Sequence, residues 1–163
     1  MYTARQALEA ALNASAAQLD RQTLINIVVE PGTDQYRVVL TLLAPSTQTT
    51  APALVVQVDA DTGQPSAPGT TQRPNPLLDL DAELRHSPFL NGLQAYQAAL
   101  LAIKGYEHYD AYGRLEIRLT KDRYEVTFPD PAARLTGGHT ADYTYLVWLN
   151  ARTGAVLKIL AAS

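Results

Sequence analysis

The chain has 163 residues, 47% of them hydrophobic and 18% charged, with a net charge of −3; this is the composition of a globular protein and excludes a disordered one. Residues 1–76 carry four basic and six acidic side chains and residues 77–163 carry nine and ten, so neither half offers the basic surface that a phosphate backbone requires, and no nucleic-acid partner is expected. Cysteine is absent, which removes disulfides, thiol catalysis and cysteine-bound metal together, and no apolar run approaches the roughly 20 residues of a membrane span.

Thr3, Ala4, Arg5 and Gln6 have the form of a capping box, in which the threonine hydroxyl takes one orphan N–H and the glutamine reaches back to another. Helix formers follow, with Ala7, Leu8, Ala11, Leu12 and Leu19 near one face. This opening is not a signal peptide, since it has no basic start followed by an apolar core. The expected location is cytoplasmic if Met1 is the native start and extracytoplasmic if an export segment has been removed. Residues 25–30, 35–43 and 53–58 alternate or run apolar as strands, separated by the turn signal of residues 31–34 and a polar loop. Residues 66–76 are rich in proline and lack apolar periodicity, which predicts a linker.

Ser87 and Pro88 then read as a helix start, and Phe89, Leu93, Tyr96, Leu100 and Ile103 recur at helical spacing up to a stop near Gly105. Residues 114–120, 123–128 and 142–150 read as strands, and "AVLKIL" as one more short strand after the last turn. The order helix, strand, strand, strand occurs twice. Thr62 and Gly63 match Thr153 and Gly154 at a separation of 91, as do Ala4, Gln6, Ala7 and Ala11 against Ala95, Gln97, Ala98 and Ala102. Asp34, Tyr36 and Val38 match Asp122, Tyr124 and Val126 at a separation of 88. The expected fold class is α+β, with two repeated αβββ units, each a helix on an antiparallel sheet: residues 1–65, the linker at 66–76, and residues 77–163.

The last strand of the first meander runs into Asp59-Ala60-Asp61-Thr62-Gly63, and that of the second into Asn150-Ala151-Arg152-Thr153-Gly154. A helix followed by an antiparallel meander ending in D-A-x-T-G resembles the PepSY domain, here in two copies, a cystatin-like arrangement. The second copy departs from the motif by asparagine for aspartate. The resemblance covers about residues 4–65 and 90–160. It implies a non-enzymatic module of the kind found in propeptides of secreted metallopeptidases and in bacterial envelope proteins, one that binds or inhibits a peptidase. It carries over no catalytic residue. Physically, the motif needs no partner: Asp59 or Asn150 can bond the backbone two residues on, and Gly63 or Gly154 supplies positive φ, so the four are expected as structural turn residues.

No constellation of catalytic side chains stands out. His86, His108 and His139 have no second ligand at helical spacing. The acidic run Asp79, Asp81 and Glu83 reads as a solvated face, and Gly137-Gly138 lacks the strand-before, helix-after context of a phosphate loop. Ser15, Ser46 and Ser66 lie in no nucleophile elbow. No enzyme, metal or cofactor is therefore expected.

Seven of the nine tyrosines stand at or after residue 96, and the third strand of the second unit is apolar on both faces. Tyr143, Tyr145, Val147 and Leu149 take one side; Leu146 and Trp148 take the other, where the first unit has Val55 and Gln57. The face turned away from the helix must meet the other unit, another chain or a partner. Candidate partner-binding residues are thus Leu146, Trp148, Tyr143 and Tyr145. The expected partner is a peptidase or an extended peptide added at a sheet edge. The alternative is a structural or regulatory protein that forms a homodimer through an apolar sheet face. A pocket lined by tyrosines and holding a small ligand is a third reading.

Overall fold

The alternating segments pair into one sheet rather than two. The computed structural model describes residues 2–103, 112–129 and 145–161. The first half gives α1 (Ala4–Ala14), the single turn α2 (Ala16–Leu19), β1 (Leu24–Pro31), β2 (Gln35–Leu42), β3 (Thr50–Asp59) and β4 (Gly69–Pro74). Two short 3-10 turns, Pro76–Asp79 and Leu84–His86, lead to α3 (Gly92–Ala102), β5 (Leu115–Thr120), β6 (Arg123–Phe128), β7 (Tyr145–Asn150) and β8 (Val156–Ala161). The strands form an eight-stranded sheet in the order β4-β3-β2-β1-β5-β6-β7-β8. Every neighbouring pair is antiparallel. Chain order therefore runs outward in both directions from the central β1–β5 pair. The protein is α+β.

Period-2 alternation decides which side chains meet the helices. On one face, Ile27, Val29, Tyr36, Val38, Leu40, Val56, Val58, Ile117, Leu119, Tyr124, Val126, Phe128, Val147 and Leu149 are all buried, as are Ala4, Ala7, Leu8 and Ala11 of α1 and Ala95, Tyr96 and Ala99 of α3. These residues form one apolar cluster that spans both halves. Small alanines on the buried helix stripes let the backbones approach the sheet closely. At Gly92 the approach is closest: a Cβ there would collide with the Ile25 carbonyl oxygen. Among the described residues, no helix is long and apolar enough to cross a membrane.

Three expectations are corrected. The segment expected as a linker contains β4, which pairs with β3 from Val55↔Gly69 to Thr50↔Pro74. An edge strand needs pairing on one side only, so it tolerates proline and has no need of an apolar face. Helix α3 starts after Asn91, not at Ser87-Pro88. The Asn91 side chain accepts from Gln94 N–H at 2.9 Å while Gln94 returns a bond to Asn91 N–H. Leu90 lies just before this cap, and its N–H donates to Ala151 O at 2.8 Å. Finally, the caps Thr3 and Asn91 align the two 11-residue helices at a separation of 88, not 91. The buried positions agree, Ala4, Ala7, Leu8 and Ala11 against Gly92, Ala95, Tyr96 and Ala99. Alanine recurs every three or four residues in both helices, so a slip of one turn still matches alanine with alanine.

Candidate functional site

The two D-A-x-T-G-like turns fold alike, atom for atom. Asp59 Oδ1 accepts from Asp61 N–H and Thr62 N–H, both at 2.8 Å; Asn150 Oδ1 accepts from Arg152 N–H at 2.9 Å and Thr153 N–H at 3.1 Å. The threonine hydroxyls of Thr62 and Thr153 accept from Gln64 N–H and Ala155 N–H, each at 3.2 Å. Gly63 and Gly154 sit at φ +73° and +76°, where a side chain is strained. The two backbone N–H bonds, to Thr62 and then Asp61, hold the Asp59 carboxyl below its ordinary range.

Each turn also closes a latch onto the start of its helix. Tyr2 N–H donates to Ala60 O at 2.7 Å, and Leu90 N–H to Ala151 O at 2.8 Å. Ala60 N–H and Ala151 N–H reach Asp34 O and Asp122 O in the preceding hairpin. The Tyr36 hydroxyl donates to Tyr2 O at 2.9 Å and the Tyr124 hydroxyl to Leu90 O at 2.6 Å. Burial pushes the Tyr124 phenol upward, so it stays a donor across the physiological range. The residues expected as structural turn elements thus do that work. Their tyrosine and helix-entry partners were missed, although Tyr36 and Tyr124 each follow an aspartate by two positions.

The face away from the helices is less uniform. The register sets Glu125 between Arg118 and Trp148, with Lys158 beyond Trp148. Arg118 pairs with Glu125 at 3.3 Å, Arg123 with Glu125 at 3.2 Å and Arg114 with Glu116 at 2.8 Å. Trp148 lies on this face, half-buried, with the Arg123 guanidinium 3.9 Å and the Lys158 ammonium 4.9 Å from its ring centroid. Its Nε1 is buried with no hydrogen-bond partner among the described residues, as is Oε1 of Gln57 at the corresponding place in β3. Leu146 is half-buried beside Thr127 and Leu160. Tyr145 points to the other side and is 8% exposed within the core, because it alternates with Leu146; it leaves the candidate partner surface. Tyr143, His108 and His139 lie outside the described residues.

The two ends of the sheet differ. β4 shows glycine, threonines, glutamine, arginine and proline to solvent. β8 shows Val156, Leu157 and Ile159 at 46%, 52% and 43% exposure. The sequence marks β8 as a strand, but only its place at the sheet edge reveals that both its faces stay open. Among the described residues, no group of three or more His, Cys, Asp or Glu side chains is placed to hold a metal ion.

No protein-family model matches this chain, and no curated protein matches it either. A candidate lipoprotein of Clostridium difficile 630 with a solved structure is similar at a TM-score of 0.40 and 14% identity, over 92% of this chain and 89% of its own. A likeness of that size supports no further comparison.

Proposed function

We propose that this protein is a non-enzymatic binding module made of two PepSY-like units, and that it takes an extended peptide, free or as part of a peptidase, as an added strand on β8. The observation that carries the reading is the exposed apolar side of β8, beyond which no strand of the described residues pairs. An edge strand offers a row of free N–H and C=O groups, and exposed edges are commonly protected by charge, proline or a bulge. β4 carries such protection in Arg73 and Pro74. β8 has one charge, Lys158, drawn over the Trp148 ring, and a bulge at Leu157, so its protection is confined to the first half of the strand and Ile159–Ala161 keep regular pairing with β7. Main-chain bonds would give affinity there and alternate apolar side chains specificity.

The two-unit part of the proposal is supported by the matched latches and caps. Val28 and Glu116, opposed across the β1–β5 pair, are also 88 positions apart. A two-fold relating the units would therefore pass between them. A dimer through the open face of the sheet is less favoured, because Arg114, Glu116, Arg118, Arg123 and Glu125 cover it with ion pairs.

The test is selection of linear peptides from a displayed library, followed by amide exchange on the complex. Peptides should protect the amides of residues 156–161, and Leu157→Lys with Ile159→Lys should abolish binding without lowering Tm. Protection elsewhere, or equal binding by the lysine variant, overturns the reading. Self-association lost in the same variant would make a second copy the occupant.

A further inference from the structure

The stretch between β4 and α3 has no counterpart elsewhere among the described residues, and it builds one wall of an apolar cavity. The cavity has a volume of about 400 Å³ and is lined by Leu43, Ala44, Pro45, Ser46, Leu77, Arg85 and Phe89. That size is at the small end of ligand sites, about 300–1,000 Å³. Its walls are fixed in place. Asn75, 3% exposed, donates through Nδ2 to Pro45 O and Gln48 O, each at 2.9 Å, and accepts from Leu77 N–H at 3.1 Å. One buried amide therefore ties the loop after β2 to the 3-10 turn at Pro76–Asp79.

Arg85 is held as firmly. Its Nε donates to Leu80 O at 3.2 Å and its Nη2 to Leu78 O at 3.1 Å. Two of five N–H donors are thereby used, and the plane of the guanidinium is set. No carboxylate of the described residues pairs with it, although Asp79, Asp81 and Glu83 are close in sequence. An oriented guanidinium with spare donors thus borders a cavity whose other walls are largely hydrocarbon.

We infer that this cavity is a binding site for a small amphiphile with a carboxylate head, the head on Arg85 and the apolar body against Leu43, Leu77 and Phe89. A carboxylate matches the planar fork, and charge-assisted bonds to it are about twice as strong as neutral ones. A medium-chain fatty acid and the apolar C-terminal residue of a peptide share this chemistry. The site is separate from the β8 edge, and its failure would leave the strand-addition proposal standing.

The probes are octanoate, octanol and a short peptide ending in leucine, with a free or an amidated C-terminus. Each is titrated into the full chain by calorimetry and by amide chemical-shift mapping, at concentrations where octanoate is monomeric. Octanoate should bind saturably at least tenfold more tightly than octanol, with shifts at Leu43, Ser46, Leu77 and Phe89. Tighter binding by the free-acid peptide than by octanoate would assign the site to chain termini, and the reverse to fatty acids. Arg85→Gln should erase the preference for acid over alcohol. If that variant does not fold, Leu43→Glu, at a position 41% exposed, keeps the test open by weakening octanoate at least tenfold and octanol far less. Equal binding of acid and alcohol, shifts elsewhere, or no saturable octanoate binding overturns the inference.

Discussion

The two halves of the sheet reach the same latch with different chemistry. The first uses Tyr2, Asp59 and Gly63; the second uses Leu90, Asn150 and Gly154. What is shared is what the geometry demands: a short acceptor at the turn's first position, a threonine hydroxyl, a glycine at positive φ, and a buried tyrosine reaching the helix entry. What differs is what the geometry leaves free. An aspartate titrates and an asparagine does not. A tyrosine ring fills the space beside Gly63, whereas a leucine Cδ1 stands 3.2 Å from the Cβ that Gly154 lacks. The same contrast holds at the outer strands, where both halves supply an edge and only the second leaves it apolar.

The largest break in the comparison is expected at the turn glycines. Gly63→Val should cost about 2–3 kcal/mol, chiefly strain at positive φ, with the outer end of the Tyr2 ring displaced by the new Cβ. Gly154→Val should cost about 2 kcal/mol, chiefly strain. Denaturant unfolding of the two variants measures the difference, and Gly154→Val as stable as wild type would remove the left-handed assignment.

The helix entries come next. Gly92→Ala should cost about 1–3 kcal/mol, because the added methyl meets the Ile25 carbonyl oxygen, which is backbone and cannot turn aside. The corresponding Ala4 is 1% exposed, and its methyl is accommodated. Ala4→Gly should therefore destabilise too, by about 1 kcal/mol through lost packing and added chain freedom. Opposite substitutions at matched positions, both destabilising, would show α3 seated closer to the sheet than α1. A stabilising Gly92→Ala would refute that seating.

Tyr36→Phe and Tyr124→Phe probe the part of the latch that the halves share. Each removes one hydroxyl bond to a helix-entry carbonyl while keeping a fully buried ring. Each should cost about 1 kcal/mol in thermal or denaturant unfolding. A clear cost at one tyrosine with none at the other would mean that the latches are not energetically equivalent.

Much of this was legible because local chemistry and the fold agree. The capping box at Thr3 and Gln6, the hairpin strand at Arg123–Phe128 and both turn glycines stand where their residue types put them. β4 was not legible, because its Gly-Thr-Thr-Gln-Arg-Pro stretch has no aliphatic or aromatic side chain to alternate, and an edge strand open on both faces needs none. The start of α3 was misread because two cap residues, Ser87 and Asn91, stand four positions apart, and only Asn91 has a glutamine three residues on to complete a capping box. The joining of the halves through β1 and β5 is likewise a long-range pairing with no local sign. Of the candidate site residues, Tyr145 was lost to the core by alternation, whereas the β8 edge and the Arg85 cavity emerge only once distant segments are side by side.

The smallest effect is the most selective. The Asp59 carboxyl is held below its ordinary value by the N–H groups of Thr62 and Asp61, so its charged form favours the folded turn. For a group whose folded pKa is depressed, the stabilisation is complete above the unfolded value, about 3.9, and is lost as pH falls through the folded value. Acidification below the ordinary carboxylate range should therefore loosen the first turn, while Asn150, with no proton to gain, holds the second. The effect on global stability should be slight, since Asp59 is exposed and solvent screens it. Amide resonances report it directly: the Gly63 amide should shift and exchange faster on acidification, and the Gly154 amide should not. Asp59→Asn should make the first turn as insensitive to acid as the second. An acid-dependent Gly63 resonance that persists in that variant would place the titrating group elsewhere and dissolve this distinction between the halves.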